Sequence, residues 1–387
     1  MKKLNVAHFC EVFSALSETF LYDYVIGTNK FVSSSVYTFT RQNPDTRPYE
    51  KVFLLDLPPK WHYLKILEKI RATVLGRTHD LYFAWPYFKT QILEKFKVAP
   101  PQVIHAHFGP TGIFACEIAE ELNIPLVVTF YGYDCSVLFR KPEWLQRYQR
   151  MFAIANTITV LSENMKEKVA AAGCNAQKIK VVHLAKNISE YQFQNRDSSI
   201  RNFITVGRLV EKKGIADSIR AVDLSNKLGT SANLTVIGGG PLLGPLQRLV
   251  SDLNIADKIH LLGPLPHGEV KEHFRSADAF ILCSKTGSDG DEEGTPTVLM
   301  EAQSFGLPCI STIHSGIPET IPKSAHRFLA NEGDVHGIAE KITEMCKLLS
   351  PEIAAISMEG RRKMEAEFNL ALECQKLCDI YENAVKS

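Results

Sequence analysis

No apolar stretch in the 387 residues is long enough to cross a bilayer, which excludes an integral helical membrane protein. An excess of one charge is also missing. Lys and Arg number 44 against 43 Asp and Glu, a formal net charge of +1, so bulk attraction to nucleic acid is excluded and any partner is chosen locally. There is no short internal repeat and no low-complexity tract, so neither a solenoid nor a disordered tail is indicated. The 9 cysteines never pair as CxxC, and several, such as Cys116 and Cys309, sit in apolar runs. They read as buried, reduced thiols of a cytosolic protein, not as a disulfide framework or a zinc site. The opening MKKLNVAHFCEVF has a short apolar run, then Glu11, and no small-residue cleavage site, so it is expected to be a first strand and not a signal peptide.

What is present is a globular composition, 45% hydrophobic and 22% charged, in a chain long enough for two cores. Short β-rich runs alternate with longer helical patterns, as in a doubly wound parallel sheet. Strands are expected at Leu4–Phe9, Ser35–Thr40, Val52–Leu55, Val103–His107, Leu126–Phe130, Thr157–Leu161 and Lys180–Leu184. Residues 187–202, NISEYQFQNRDSSIRN, are polar and aperiodic and read as a linker. A second cycle follows, with strands at 203–207, 234–240, 258–263 and 279–284, and helices over Ile215–Leu228 and Leu242–Leu253. The tail from about Pro351 reads as helical. The boundaries expected are 1–190 for a first Rossmann-like domain, 191–366 for a second, and 367–387 for a helix packing back on the first. Two such sheets imply a cleft, with the chemistry in the loops beyond the carboxyl ends of the strands.

The densest group of chemical residues is DGDEEGTPTVLMEAQSF, where Asp289, Asp291, Glu292, Glu293 and Glu301 surround the start of a helix. Thr295 is expected as its N-cap, Pro296 at its first position and Gly306 just past its end. Acids before a helix complement its dipole, and Asp289, Asp291 and Glu292 are expected to be mostly solvated loop acids. Glu301 lies past the first turn, between Met300 and Ala302, and a carboxylate there wants a hydrogen-bonding partner. In VGRLVEKKGI, Arg208 and Lys213 bring two cations to one loop end and suit a diphosphate, whereas Lys212 taken alone reads as a surface charge. VIGGGPLLGPL departs from a dinucleotide fingerprint, because its glycines are spaced G-x-G-x-x-x-G and Pro241 and Pro245 interrupt the helix start. It reads as a loop of close backbone approach.

Taken together, GRLVEKKG, VIGGGP, LLGPLPHGEVKEHFRSAD, EGTPTVLMEAQSFGLP and SGIPE, in that order, resemble the retaining GT-B glycosyltransferases of family 4. Glu293 and Glu301 keep the spacing of that family's paired glutamates. The likeness extends to the first half through HFCEVFSALSETF, VIHAHFGPTG, VVTFYGYD and VLSENMKEKVAAAG, and is greatest to the exopolysaccharide subgroup that includes colanic acid and amylovoran enzymes. The resemblance implies a nucleoside-diphosphate-sugar donor, a lipid-linked or other glycan acceptor and no cofactor, in a cytoplasmic enzyme that can sit on the inner face of the membrane.

By the same resemblance, Arg208 and Lys213 neutralise the diphosphate and Glu293 touches the donor sugar. Glu301 accepts from the ribose, and the backbone of Gly294, Thr295, Thr297 and Val298 meets the phosphates at the helix start. Gly207, Gly238 and Gly240 complete the donor side. On the acceptor side stand His107, Tyr131 and Asp134, with Ser17, Glu18 and Thr19 in the first loop. Tyr131 stands where the family often has histidine, and Ala185-Lys186-Asn187 replaces a common Gly-Val-Asp.

A divalent metal is not expected. Asp289-Gly290-Asp291 matches the DxD pattern of another glycosyltransferase fold, but here Arg208, Lys213 and a helix start already answer the phosphate charge. A calcium loop fails because its twelfth position is Met300 and Pro296 interrupts it. Residues 60–97 carry eight Lys or Arg against three acids, interleaved with aromatics, which suits an anionic membrane surface or an ordinary helix pair with an aromatic core. A sugar-nucleotide epimerase of the same fold and an idle scaffold subunit are the alternatives to a transferase.

Overall fold

The computed structural model describes residues 3–15, 18–59, 62–64, 67 and 84–386. The chain divides into two compact units. Unit 1 comprises Met1–Val160, Lys166–Val182 and Cys374–Ser387, and unit 2 comprises Leu161–Met165 and His183–Glu373.

Unit 1 holds a parallel seven-stranded sheet ordered β3-β2-β1-β4-β5-β6-β7. Its strands are β1 (Asn5–Phe13), β2 (Ser33–Arg41), β3 (Val52–Leu54), β4 (Val103–His107), β5 (Leu126–Thr129), β6 (Thr157–Val160) and β7 (Ile179–Val181). The central strands read as near-continuous apolar runs because helices cover both faces of a parallel sheet. In β4, Val103, Ile104 and Ala106 are wholly buried. His8 and His105 are paired across β1 and β4.

Unit 2 repeats the plan with six parallel strands ordered β10-β9-β8-β11-β12-β13. These are β8 (Asn202–Val206), β9 (Asn233–Ile237), β10 (Ile259–Gly263), β11 (Ala279–Leu282), β12 (Cys309–Thr312) and β13 (Leu329–Ala330). Beyond the expected strands, β12 and β13 extend the sheet. The two-residue β13 is too short to show any periodicity in sequence. The polar stretch 187–202 is anchored, because Ile188, Tyr191 and Ile200 are buried and the last two belong to the core of unit 2. The helical tail is broken at Phe368–Asn369, where Asn369 bridges to Lys186. All nine cysteines stand outside any disulfide, and all but Cys346 are buried.

In each sheet the connections reverse direction once, between β1 and β4 in unit 1 and between β8 and β11 in unit 2. In each unit, the loops that leave the carboxyl ends of the two strands at the reversal flank a crevice of the kind where open α/β sheets take their ligands.

Candidate active site

In unit 2 the loop after β8 is shaped by backbone packing. Gly238 and Gly240 have φ of 146° and 153°, and a Cβ on either would strike the backbone of Gly207 or Leu209. The close approach expected of this glycine loop is therefore made to the chain's own 207–209 segment. The turn ends at Gly214, where a Cβ would collide with the carbonyl of Cys283 after β11. Lys213 lays its stem across Gly207, within 3.6 Å of where a Cβ would stand. Arg208 is exposed.

From the β11 side comes Glu293, 7% exposed, with Lys213 Nζ donating to its Oε2 at 2.7 Å and Lys212 Nζ at 3.7 Å from Oε1. Burial pushes the Glu293 carboxyl up, but the Lys213 and Lys212 ammoniums outweigh it and hold the group below the ordinary carboxylate range. Lys212 is not a surface charge. It is nearly buried, pairs with Asp291 at 2.8 Å and donates to the Glu292 carbonyl, so Asp291 is an ion-paired residue and not a solvated acid. The signal for Lys212 was its place beside Lys213, which alone could not say that acids would fold over it. Asp289 is exposed and accepts from the Asp291 amide.

The helix after this loop spans Thr297–Ser304, with Pro296 as its N-cap and no side-chain cap bond. Thr295, expected as the cap, thus lies one residue before it, and Pro296 is the cap instead of the first helical residue. The Thr295 hydroxyl is buried without a partner, although it stands just before a helix start. The Gly294 carbonyl accepts from Ser315 Oγ at 3.3 Å, and Thr297 and Val298 are half-buried in the first turn. Gly306 ends the helix with φ of 86°. Glu301 has the partner its setting demands, but from within the chain: Lys186 Nζ lies 2.9 Å from its Oε1. The sequence marked Lys186 only as a departure from the family pattern.

In unit 1 the acceptor-side candidates gather at the β1/β4 crevice. Phe20 stacks on Tyr131 at 4.7 Å, and Phe108 lies 4.6 Å from the same ring. The helix Thr19–Thr28 begins beside them, with Glu18 at its N-cap. Ser17 lies outside the described residues. Asp134 is buried and accepts from the amides of Gly109, Tyr131 and Gly132, so it ties the post-β5 turn to the start of the helix after β4. Burial raises its pKa although these amides pull it down. Ser14 and Phe108, at the ends of β1 and β4, hold positive φ of 67° and 71° without being glycine, a strain that gathers at functional sites.

His107 Nδ1 meets Tyr131 Oη at 2.7 Å, and its Nε2 meets His8 Nδ1 at 3.0 Å. His8 Nε2 faces Ser34, and His105 lies between Tyr381 and Thr129. Burial keeps all three imidazoles neutral, drawing His8 down to about 3 and His105 and His107 well below their ordinary value. Among the described residues this trio is where potential metal ligands cluster, within 4.8 Å of one another. Each ring nitrogen already has an imidazole or hydroxyl partner, so a divalent ion would have to displace bonds and enter with no carboxylate among the three donors. The acidic loop forms no such cluster among the described residues, since lysines answer its buried acids.

In the 60–97 segment, Trp85, Phe88 and Phe96 are buried on the helix Trp85–Val98, and Lys89 pairs with Glu121. These three aromatics are core, whereas Tyr87 is half-buried and Tyr63 exposed. Residues 60, 61, 65, 66 and 68–83 lie outside the described residues. No described helix is long and apolar enough to cross a membrane.

Two Rossmann-like parallel-sheet units, each with its functional candidates at the sheet's reversal point, define the GT-B class of fold. Solved structures agree. A HepE from Anabaena solved with UDP superposes with a TM-score of 0.74 at 16% identity, covering 99% of this chain and 100% of that one. A sucrose-phosphate synthase from Thermosynechococcus elongatus gives 0.76 at 14%, covering 98% and 99%. Residues 188–359 match the family model for glycosyl transferases group 1, and residues 33–189 match that for glycosyltransferase family 4. An amylovoran biosynthesis glycosyltransferase, AmsK of Erwinia amylovora, is 33% identical over 71% of this chain and 69% of its own length. The chain belongs to the family 4 glycosyltransferases.

Proposed function

We propose that this protein is a retaining glycosyltransferase that moves a sugar from a nucleoside-diphosphate sugar to a lipid-linked or related glycan acceptor in exopolysaccharide assembly. One observation carries the reading. At the β8/β11 reversal of unit 2, Arg208, Lys213, buried Glu293 and the partnerless Thr295 hydroxyl before a helix start occupy adjoining loops. Two cations, a free hydroxyl and unpaired helix amides suit a diphosphate. A carboxylate held ionised beside them suits the hydroxyls of a sugar.

In this reading the bond between the sugar's anomeric carbon and the diphosphate oxygen breaks as the acceptor oxygen bonds to the same face of that carbon. The acceptor's proton passes to the departing diphosphate oxygen. Arg208 and Lys213 stabilise the charge that develops there, an effect that counts for more in a closed site than in water. Glu293 orients the sugar, and Glu301 offers its ribose contact from the oxygen that Lys186 leaves open. Tyr131, fixed by His107 and stacked on Phe20, presents a phenol on the acceptor side.

The polysaccharide role is supported by AmsK, named for amylovoran biosynthesis, and the donor class by HepE, solved with UDP and with UDP-glucose. Contact with the inner face of the membrane, through the basic residues of 60–97, completes the proposal, and salt-sensitive binding to anionic vesicles tests it.

The deciding experiment titrates the purified protein with UDP, GDP and ADP, then follows turnover of the matching nucleotide sugars and reads the product's anomeric configuration by NMR. Binding of one diphosphate and a product of unchanged configuration are expected. No binding by any of them, or an inverted product, would overturn the reading.

A further inference from the structure

The loop from Thr286 to Glu293 carries Glu293 but has no regular secondary structure of its own. A pair of side chains from two neighbouring strand ends holds both of its limits. His314, 2% exposed, follows β12, and Glu332 follows β13. The Glu293 amide donates to His314 Nε2 at 3.0 Å. A backbone N–H can only donate, so Nε2 carries no proton and the neutral ring bears its hydrogen on Nδ1. That hydrogen points to Glu332 Oε1, 2.6 Å away. The other Glu332 oxygen accepts the Thr286 amide at 2.7 Å. The three bonds therefore run without a break from the first residue of the loop, through Glu332 and His314, to the last. Burial pushes the Glu332 carboxyl up, but the Thr286 amide and His314 hold it below its ordinary range, so the carboxylate stays an acceptor for both.

Lys213 fixes the Glu293 carboxylate from the β8 side, and His314 fixes the backbone of the same residue from the β12 side. Glu293 is thereby located by two independent anchors. We infer that His314 and Glu332 are positioning residues that clamp the Thr286–Glu293 loop and set where the Glu293 carboxylate stands toward the transferred sugar. The catalytic half of this inference rests on the donor role assigned to Glu293 above. The clamp itself does not.

Two measurements on the full chain separate these halves. In amide hydrogen exchange, which needs no donor, His314→Leu should speed exchange at the Glu293 amide by about tenfold or more while Thr286 stays protected through Glu332. Glu332→Ala should release Thr286. His314→Gln, whose carbonyl can take the place of Nε2, should restore protection at Glu293. In kinetics with a nucleotide sugar that the wild type turns over, His314→Leu should lower kcat by about a hundredfold, the cost of a misplaced catalytic group, with the affinity for UDP within about threefold of wild type. His314→Gln should recover most of kcat. Unchanged exchange at Glu293 in His314→Leu would overturn the clamp. Equal losses of kcat and UDP affinity would reduce His314 to a general structural residue. Should His314→Leu fail to fold, Glu332→Ala and His314→Gln decide the matter by the same readouts. A wild type that binds no UDP and turns over no nucleotide sugar would refute the proposed function, while the exchange data would still judge the clamp.

Discussion

Lys186 Nζ stands 2.9 Å from Glu301 Oε1, and the two side chains are only 12% and 9% exposed. A family glutamate expected to meet ribose is thus held by a lysine that replaces the family's usual residue. Removing one partner of a buried pair leaves the other charge uncompensated, so Lys186→Met should destabilise the fold by about 3 kcal/mol. Glu301→Gln should lower both the melting temperature and the affinity for the nucleoside diphosphate that the protein takes, because it breaks the pair and weakens the proposed ribose contact. The double variant should lose less stability than the sum of the singles. Strictly additive losses in this thermodynamic cycle would mean that the pair does not interact.

Arg208 and Lys213 should separate by their effects on stability. Either change to Ala should cut turnover by about a hundredfold, the usual cost of losing one charge-stabilising group. Arg208 is exposed, and its removal should leave the melting temperature unchanged. Lys213→Ala also deprives Glu293 of its 2.7 Å partner and should lower it. Near-native turnover in either variant at saturating donor would exclude that residue from the diphosphate site.

Glu293 links stability to acid. Its folded pKa lies below its ordinary value of 4.5, so the unfolded chain takes up the proton first as pH falls. The stability it contributes is fully present above that ordinary value and is lost as the pH falls through the folded one. Melting curves taken from about pH 6 to about pH 3 should show a steeper fall for wild type than for Glu293→Gln. Parallel curves would mean that Glu293 is not held ionised by Lys212 and Lys213.

Chelation should leave transfer unaffected. Asp291 and Glu293 are neutralised by lysines, and of the DxD pair only Asp289 remains exposed. Asp289→Asn should therefore retain wild-type turnover. Loss of activity with chelator, restored by added magnesium or manganese, would return the acidic loop to metal binding.

Much of this was legible along the chain because it is encoded locally. Val103–His107 could be read as a buried strand because a parallel sheet covered on both faces demands an unbroken apolar run. Gly306 ends its helix because the residue there needs a positive φ. The order and spacing of GRLVEKKG and EGTPTVLMEAQSFGLP brought Arg208, Lys213, Glu293 and Glu301 forward before any fold was drawn.

What the sequence by itself determined was the two alternating α/β cycles, the family and the set of charged residues in the loops after β8 and β11. Only the tertiary structure decided which charges meet. Lys212 reads as a surface lysine until the loop after β11 folds over it, and Glu301 as a carboxylate without a partner until Lys186 arrives from the segment after β7. His314 and Glu332 carry no motif. Their pairing, and the proton it places on Nδ1, exists because β12 and β13 lie side by side and the Glu293 amide can only donate. Helix caps, turns and apolar runs are set by neighbours in sequence, but ion pairs and imidazole tautomers are set by neighbours in space, and those follow from the order of strands in the sheet.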